Sequence, residues 1–311
     1  MSLLDKRIII VTGKGGTGKT TIAAALGLWA ARSGKKTLIC ETHGTNRVCP
    51  LFGRTSDGYE PVQVHRGLHV LSITSESAIE DYVVQQIKVK KLYKLVFRNR
   101  VMGPFMDAVP GLHDAVHLGK VFDLAREVDG DGNNRWDLVI VDAPATGHGL
   151  HMFDSPRAMM ELTRVGPVYE GVRQVDEVIG DPTKTALVLA CLPEAMPVSE
   201  TLDLWKRLGD RKDQVAACIL NEVIAPPRSS TADWKVAAEH LRTIDDPAVK
   251  EAVELTETWM DKAQNQRQAR DLLAQEVKVP LIELPLLPRR DLRFQELQTL
   301  SQELDCGLEP E

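Results

Sequence analysis

The stretch VTGKGGTGKTT, Val11–Thr21, limits what this chain can fold into more than any other part of it. Gly13 through Thr20 fits G-x-x-x-x-G-K-[ST]. That spacing works only between a strand and a helix, where backbone N–H groups at the helix N-terminus gather phosphate oxygens. The context agrees: the apolar run Ile8–Val11 precedes the loop, and a helix-forming run, TIAAALGLWAARS, follows it up to Gly34. Gly13, Gly15, Gly16 and Gly18 let the backbone curl around an anion without Cβ collisions. Lys19 reaches β- and γ-phosphate oxygens and Thr20 offers a hydroxyl to Mg²⁺, with Thr17 and Thr21 completing the loop.

A strand that feeds such a loop belongs to an α/β fold, and the rest of the chain has the matching rhythm. RIIIVT, KTLIC, LHVLSI, DLVIVD, TALVLAC, VAACIL and PLIELP are short Val-, Ile- and Leu-rich runs without polar alternation, as in strands covered on both faces. Helical stretches separate most of them, so the expected architecture is a doubly wound, mainly parallel sheet. Ser77-x-x-Glu80 reads as a capping box, with Ile79, Val83 and Ile87 at helical spacing after it. Asp246-Pro247 reads as N-cap and first-turn proline of a long helix ending near Glu276. The chain reads as one domain, residues 1–311, with a helical subregion at about 76–127 and 153–184.

Composition excludes some functions. A net charge of −6 argues against a general nucleic-acid binder. No apolar run approaches membrane-spanning length, and the N-terminal run is too short for a secretion signal, so a cytoplasmic chain with no integral membrane segment is expected. The five cysteines are odd in number and contain no C-x-x-C pair. Small buried residues are the expected reading. Ile87–Arg100 carries six basic residues and no acidic one. A solvated helix face is expected there, with an acidic partner or a membrane surface as the alternative.

The metal should be approached from a second side. WDLVIVDAPATGHG ends an apolar strand in Asp142, and a carboxylate at that end of a sheet strand sits in the crevice where α/β folds bind ligands. Paired with the phosphate loop, Asp142 becomes the Mg²⁺-side carboxylate, acting through water or the Thr20 hydroxyl. The small-residue loop after it, including Gly147, suits contact of a backbone N–H with a γ-phosphate.

GKGGTGKTT together with DAPATGHGLHMF resembles the arsenite-pump and tail-anchored-protein-targeting ATPases. These form the ArsA-type branch of the deviant phosphate-loop ATPases that also include MinD and ParA. The likeness extends through GLHVLSITSESAIEDY, VPGLHDAVHLGKVFDLAR, ACLPEAMPVSETLDLWKRL, CILNEV and LPLLPRRDLRFQELQTL, and so covers most of the chain. Among these families the chain is most similar to the paired bacterial ArsA-like ATPases.

The resemblance implies roles that the residues alone do not. Lys14 would be a lysine reaching across a dimer to the nucleotide of the other subunit, adding a cation where charge builds during phosphoryl transfer. Asn221 and the loop beginning at Pro285 and Leu286 would flank adenine. With no Asp after Asn221 to read guanine, ATP is expected over GTP. The departure lies in the first switch. The family's S-T-D-P-A-H, whose Asp handles the attacking water, is replaced by ICETHGTNRVCPLFG, with no Asp. Glu41 or His43 takes that role, or neither does and hydrolysis is slow or depends on a partner subunit.

The implied activity is that of a Mg²⁺-ATP-driven switch, a homodimer or a heterodimer with a similar ATPase chain, coupled to a protein client or membrane partner. Clustered arsenite-binding cysteines and a long Met-rich cradle are both missing. Met102, Met106, Met152, Met159 and Met160 read as ordinary packing, with a small apolar groove as the alternative. Two other readings stay open: a scaffold subunit that binds ATP and barely hydrolyses it, and a MinD/ParA-type positioning ATPase. The acidic C-terminus SQELDCGLEPE argues against the latter, since membrane docking needs a basic amphipathic helix. A small-molecule kinase is disfavoured by Lys14 and DAPATGHG.

Overall fold

In the computed structural model, which describes residues 2–42, 46–56, 59–87, 111–144, 149–225, 231–288 and 292–308, the apolar runs assemble into an eight-stranded sheet. Its strands are β1 (Ile8–Thr12), β2 (Thr37–Glu41), β3 (Val62–His65) and β4 (Leu68–Ser72). They continue with β5 (Leu138–Asp142), β6 (Thr185–Cys191), β7 (Val215–Val223) and β8 (Leu281–Pro285). The spatial order is β3-β4-β2-β5-β1-β6-β7-β8. Every neighbouring pair is parallel except β3 and β4. β1 lies centrally, with β2 and β5 on one side and β6 on the other, so the winding reverses beside it and opens a crevice at the carboxyl ends of the strands.

Both faces of the sheet are covered, which explains why the strands lack polar alternation. Ile9 and Val11 face α1 (Lys19–Arg32) and the C-terminal helix Phe294–Leu308. Ile8 and Ile10 face the other core, filled by Phe122, Phe153, Ile179 and Val198. α1 is buried almost all round, from Ile22 to Ala30, because it lies between the sheet and the last helix. Its small residues permit that approach: a Cβ on Gly27 would stand 2.6 Å from Ile39 Cδ1.

The second face is built by α3 (Ser75–Ile87), α4 (Leu112–Arg126), α5 (Gly149–Thr163) and α6 (Pro167–Gly180). These pack against one another in succession. They are followed by α7 (Ala195–Arg207), α8 (Thr231–Leu241), α9 (Pro247–Glu276) and α10 (Phe294–Leu308), with the short α2 (Val48–Leu51) earlier in the chain. Asp246 caps α9 through the N–H of Ala248 at 2.8 Å, and the helix ends at Glu276, as its sequence indicates. Among the described residues no helix is long and apolar enough to cross a membrane.

Three local features differ from the sequence reading. α3 starts at Ser75, and Thr74 is the residue that accepts the N–H of Ser77, at 3.2 Å. Ser77 therefore lies inside the helix and does not open it, because β4 delivers the chain to Thr74 first. β3 and α2 were absent from the expected elements. β3 is a four-residue antiparallel edge strand joined to β4 through Arg66-Gly67, and only Val64 of it is fully buried. Short edge strands carry too little hydrophobic pattern to stand out. The basic stretch 88–100, Met102 and Met106 lie outside the described residues. Met152 is packed in the core and Met159 and Met160 are half-buried.

Candidate nucleotide site

The loop between β1 and α1 is shaped by contacts at both ends. Gly13 has φ +148°, and a Cβ there would meet the Ala190 carbonyl oxygen of β6 at 2.3 Å. Gly18 is the N-cap of α1 with φ +83°, and a Cβ there would meet Asn221 Nδ2 at 2.1 Å. Only glycine fits either place. Within the loop the Lys14 carbonyl accepts from Thr17 Oγ1 and from Lys19 Nζ, both at 2.9 Å. Asn221, buried at the end of β7, donates from Nδ2 to the Thr17 carbonyl at 3.2 Å. The loop is thus closed on itself and braced from the neighbouring strands.

Lys19 is almost fully buried, and burial lowers its pKa while the nearby Asp142 charge opposes the shift. A desolvated ammonium whose recorded bond is to a neutral carbonyl is poised to gain by meeting an anion. One residue on, Thr20 Oγ1 donates to Asp142 Oδ2 at 2.7 Å. Asp142 is 1% exposed, and its other oxygen, Oδ1, has no hydrogen-bond partner among the described residues. Burial pushes its carboxyl up to about 6, with the Thr20 hydrogen bond and Lys19 pulling the other way.

Glu41 ends β2 as Asp142 ends β5, and the two are register neighbours on parallel strands. Their side chains therefore leave the sheet on the same face. Glu41 is 0% exposed. Its Oε1 accepts the backbone N–H groups of Arg47 at 2.6 Å and Val48 at 3.1 Å, while Oε2 has no partner among the described residues. Burial raises its pKa, the two backbone hydrogen bonds lower it, and the Asp142 charge raises it further. Thr42 Oγ1 donates to the Asp142 carbonyl at 2.9 Å, tying the start of the following loop to β5.

Lys14 points away from this cluster and pairs with Glu200 of α7 at 2.6 Å. Pro285 ends β8, and the N–H of Leu286 donates to the Val223 carbonyl at 2.8 Å. Leu286 also lines a cavity of about 350 Å³ with Ile224, Ala225 and residues of α9. Thr17, Lys19, Thr20, Asp142 and Asn221 thus converge on one loop at the carboxyl ends of the strands, with Glu41 beside Asp142 and Lys14 turned outward to Glu200. His43 and Gly147 lie outside the described residues. Glu200 and Gln266, a residue of α9 bonded to the turn after β7, were not singled out from the sequence. Their partners are distant in the chain, and no local spacing marks them.

The donor set fits a Mg²⁺-nucleotide. A buried carboxylate with one unsatisfied oxygen, hydrogen-bonded to a hydroxyl at the first turn of a helix, matches a cation that keeps waters and takes its remaining ligands from phosphates. No group of three or more His, Cys, Asp or Glu side chains able to hold a metal ion occurs among the described residues.

Comparison with known proteins agrees with this geometry. A family model described as anion-transporting ATPase matches residues 6–166 and 160–278. The ATPase BagA of Mycobacterium tuberculosis is 32% identical over 244 residues, covering 75% of this chain and 69% of the relative. The ATPase GET3 of Malassezia globosa is 24% identical over 351 aligned positions, covering 99% and 95%. An ATPase ASNA1 homolog of Paramecium tetraurelia is 25% identical over 260, covering 70% and 75%.

Proposed function

This chain belongs to the anion-transporting ATPase family, and on that premise we propose that it is a Mg²⁺-dependent ATPase that works as a dimeric switch. ATP binding closes two subunits on each other and hydrolysis releases them. The helical layer α3–α6 passes the change to a protein client or a membrane partner. The second subunit is another copy of this chain or a similar ATPase chain. The names of its relatives, ATPases BagA and GET3 among them, support the hydrolytic reading.

The observation that carries the proposal is the Thr20–Asp142 hydrogen bond beside a buried, anion-seeking Lys19. When bound, Mg²⁺ would neutralise charge on the β- and γ-phosphate oxygens. Thr20 supplies a hydroxyl to it, and Asp142 orients that hydroxyl. Lys19 exchanges the Lys14 carbonyl for phosphate oxygens. The loop amides from Gly13 to Thr21 hold the remaining oxygens, and the Gly147 segment meets the terminal phosphate. Asn221, Pro285 and Leu286 frame adenine.

Lys14 acts in trans. In the single chain it is held by Glu200, and closure of the dimer transfers it to the partner's nucleotide. Glu41 is sealed in the core, with one oxygen committed to two amides. It therefore anchors the first switch segment and leaves the water to His43 or to a partner chain. The same burial favours a second reading, a subunit that binds ATP but hydrolyses it poorly alone. Phosphate release by the purified chain, with ATP affinity measured in parallel, tests the proposal and separates the two readings.

A further inference from the structure

The exit from β7 is an irregular turn that a single side chain holds in place. Pairing between β7 and β8 shifts register between Leu220 and Val223. Within that bulge Glu222 has φ +61°, a strained value for a residue with a Cβ. Such a turn leaves backbone groups without ladder partners. Gln266 of α9 supplies them: its Oε1 accepts the N–H of Ile224 at 2.8 Å, and its Nε2 donates to the Glu222 carbonyl at 3.1 Å. Gln266 is 6% exposed, although most of α9 around it faces solvent. An amide with one donor and one acceptor group suits this task, and a carboxylate or an alkyl chain does not.

The turn matters because of its neighbours. The residue before Glu222 is Asn221, which braces the phosphate loop at Thr17. The residues after it, Ile224 and Ala225, line the cavity of about 350 Å³ closed on the other side by Thr256, Trp259, Met260 and Leu286. An apolar cavity with one aromatic ring and a hydroxyl, whose Ile224 wall lies three residues along the chain from the Asn221 that braces the phosphate loop, suits a flat heteroaromatic ring.

We infer that Gln266 is the positioning residue of the base end of the nucleotide site, and that α9, through Thr256, Trp259 and Met260, is the wall against which the purine lies. The inference rests on the nucleotide reading above and adds to it the element that shapes base recognition. It places recognition on a helix outside the phosphate loop and the strand ends. It also makes base affinity separable from phosphate affinity.

Calorimetry on the full chain with Mg²⁺-ATP and with Mg²⁺-tripolyphosphate, which has no base, tests it. Gln266→Ala removes the two hydrogen bonds, and Thr256→Trp fills the cavity from a half-buried position. Each is expected to weaken ATP binding about tenfold while tripolyphosphate affinity stays within about twofold. Unchanged ATP affinity in both variants overturns the inference. So does an equal loss for both probes, which would mean general damage to the site. A wild-type chain that binds tripolyphosphate as tightly as ATP overturns the base wall and leaves the phosphate loop standing. A wild-type chain that binds neither overturns the nucleotide reading itself.

Discussion

Thr20 Oγ1 donates to Asp142 Oδ2 at 2.7 Å, joining the first turn of α1 to the end of β5 across 122 positions of sequence. The bond orients the hydroxyl and consumes one carboxylate oxygen, leaving Oδ1 buried and unpaired. Unpaired buried carboxylates are costly unless a cation compensates them. The site therefore gives up stability in the free protein, which a bound cation would return.

Replacing Asp142 by Asn keeps an acceptor for Thr20 and removes the charge. ATP turnover is expected to fall about 10- to 100-fold with a raised Mg²⁺ requirement, the range seen when a group orienting a metal ligand is changed. The metal-free variant is expected to melt at or above the wild-type temperature. Phosphate release across a Mg²⁺ titration, with thermal melts in chelator, checks both. Unaltered Mg²⁺ dependence contradicts the assignment.

The same carboxylate sets a pH dependence. Burial lifts Asp142 from 3.8 to about 6 in the folded chain. A raised folded-state pKa contributes stability that is complete below the unfolded value and lost as pH rises through the folded one. In metal-free buffer the wild type should lose about 3 kcal/mol relative to Asp142→Asn between about pH 4 and pH 7. Burial moves Glu41 in the same direction, and the part of its shift that comes from burial cancels in the comparison. The part that comes from the Asp142 charge is lost with that charge and belongs to the measured difference. Denaturant midpoints of both proteins across this window measure the difference. A constant difference would contradict it.

Glu41 separates anchoring from water handling. Glu41→Gln retains an oxygen for the amides of Arg47 and Val48 and should keep turnover within about threefold of wild type. Glu41→Ala strands two N–H groups and should cost about 3 kcal/mol of stability. Melting and phosphate release on the pair check this. If Glu41→Gln abolishes turnover in a normally stable protein, the carboxylate itself handles the water.

Much of this architecture can be read from the chain because its signals are local. Ile8–Val11 is fully buried and apolar throughout, so the strand and its doubly covered environment are written in four adjacent residues. The phosphate loop and the Asp at the end of β5 are likewise contiguous patterns. What is not local is not legible. Lys14 and Glu200 are 186 positions apart, and only the α/β winding brings α7 to the loop. Gln266 looks like any polar residue on a long solvated helix until β7 bulges beneath it. Ser77 and Glu80 satisfy a capping pattern, yet Thr74 captures the helix start because the strand before it ends two residues earlier, at Ser72.

The most direct test of the ATPase switch is phosphate release from Mg²⁺-ATP by the wild type, Lys19→Ala and Lys14→Ala, with ATP affinity measured beside it. The wild type is expected to turn over ATP, and Lys19→Ala to lose binding. Lys14→Ala is expected to bind ATP normally and lose turnover about 1,000-fold, the scale of a charge supplied in trans. Its melting temperature should barely move, because the Lys14–Glu200 pair is partly exposed, with side chains 31% and 45% accessible. A Lys14→Ala chain that hydrolyses ATP like the wild type would contradict the account.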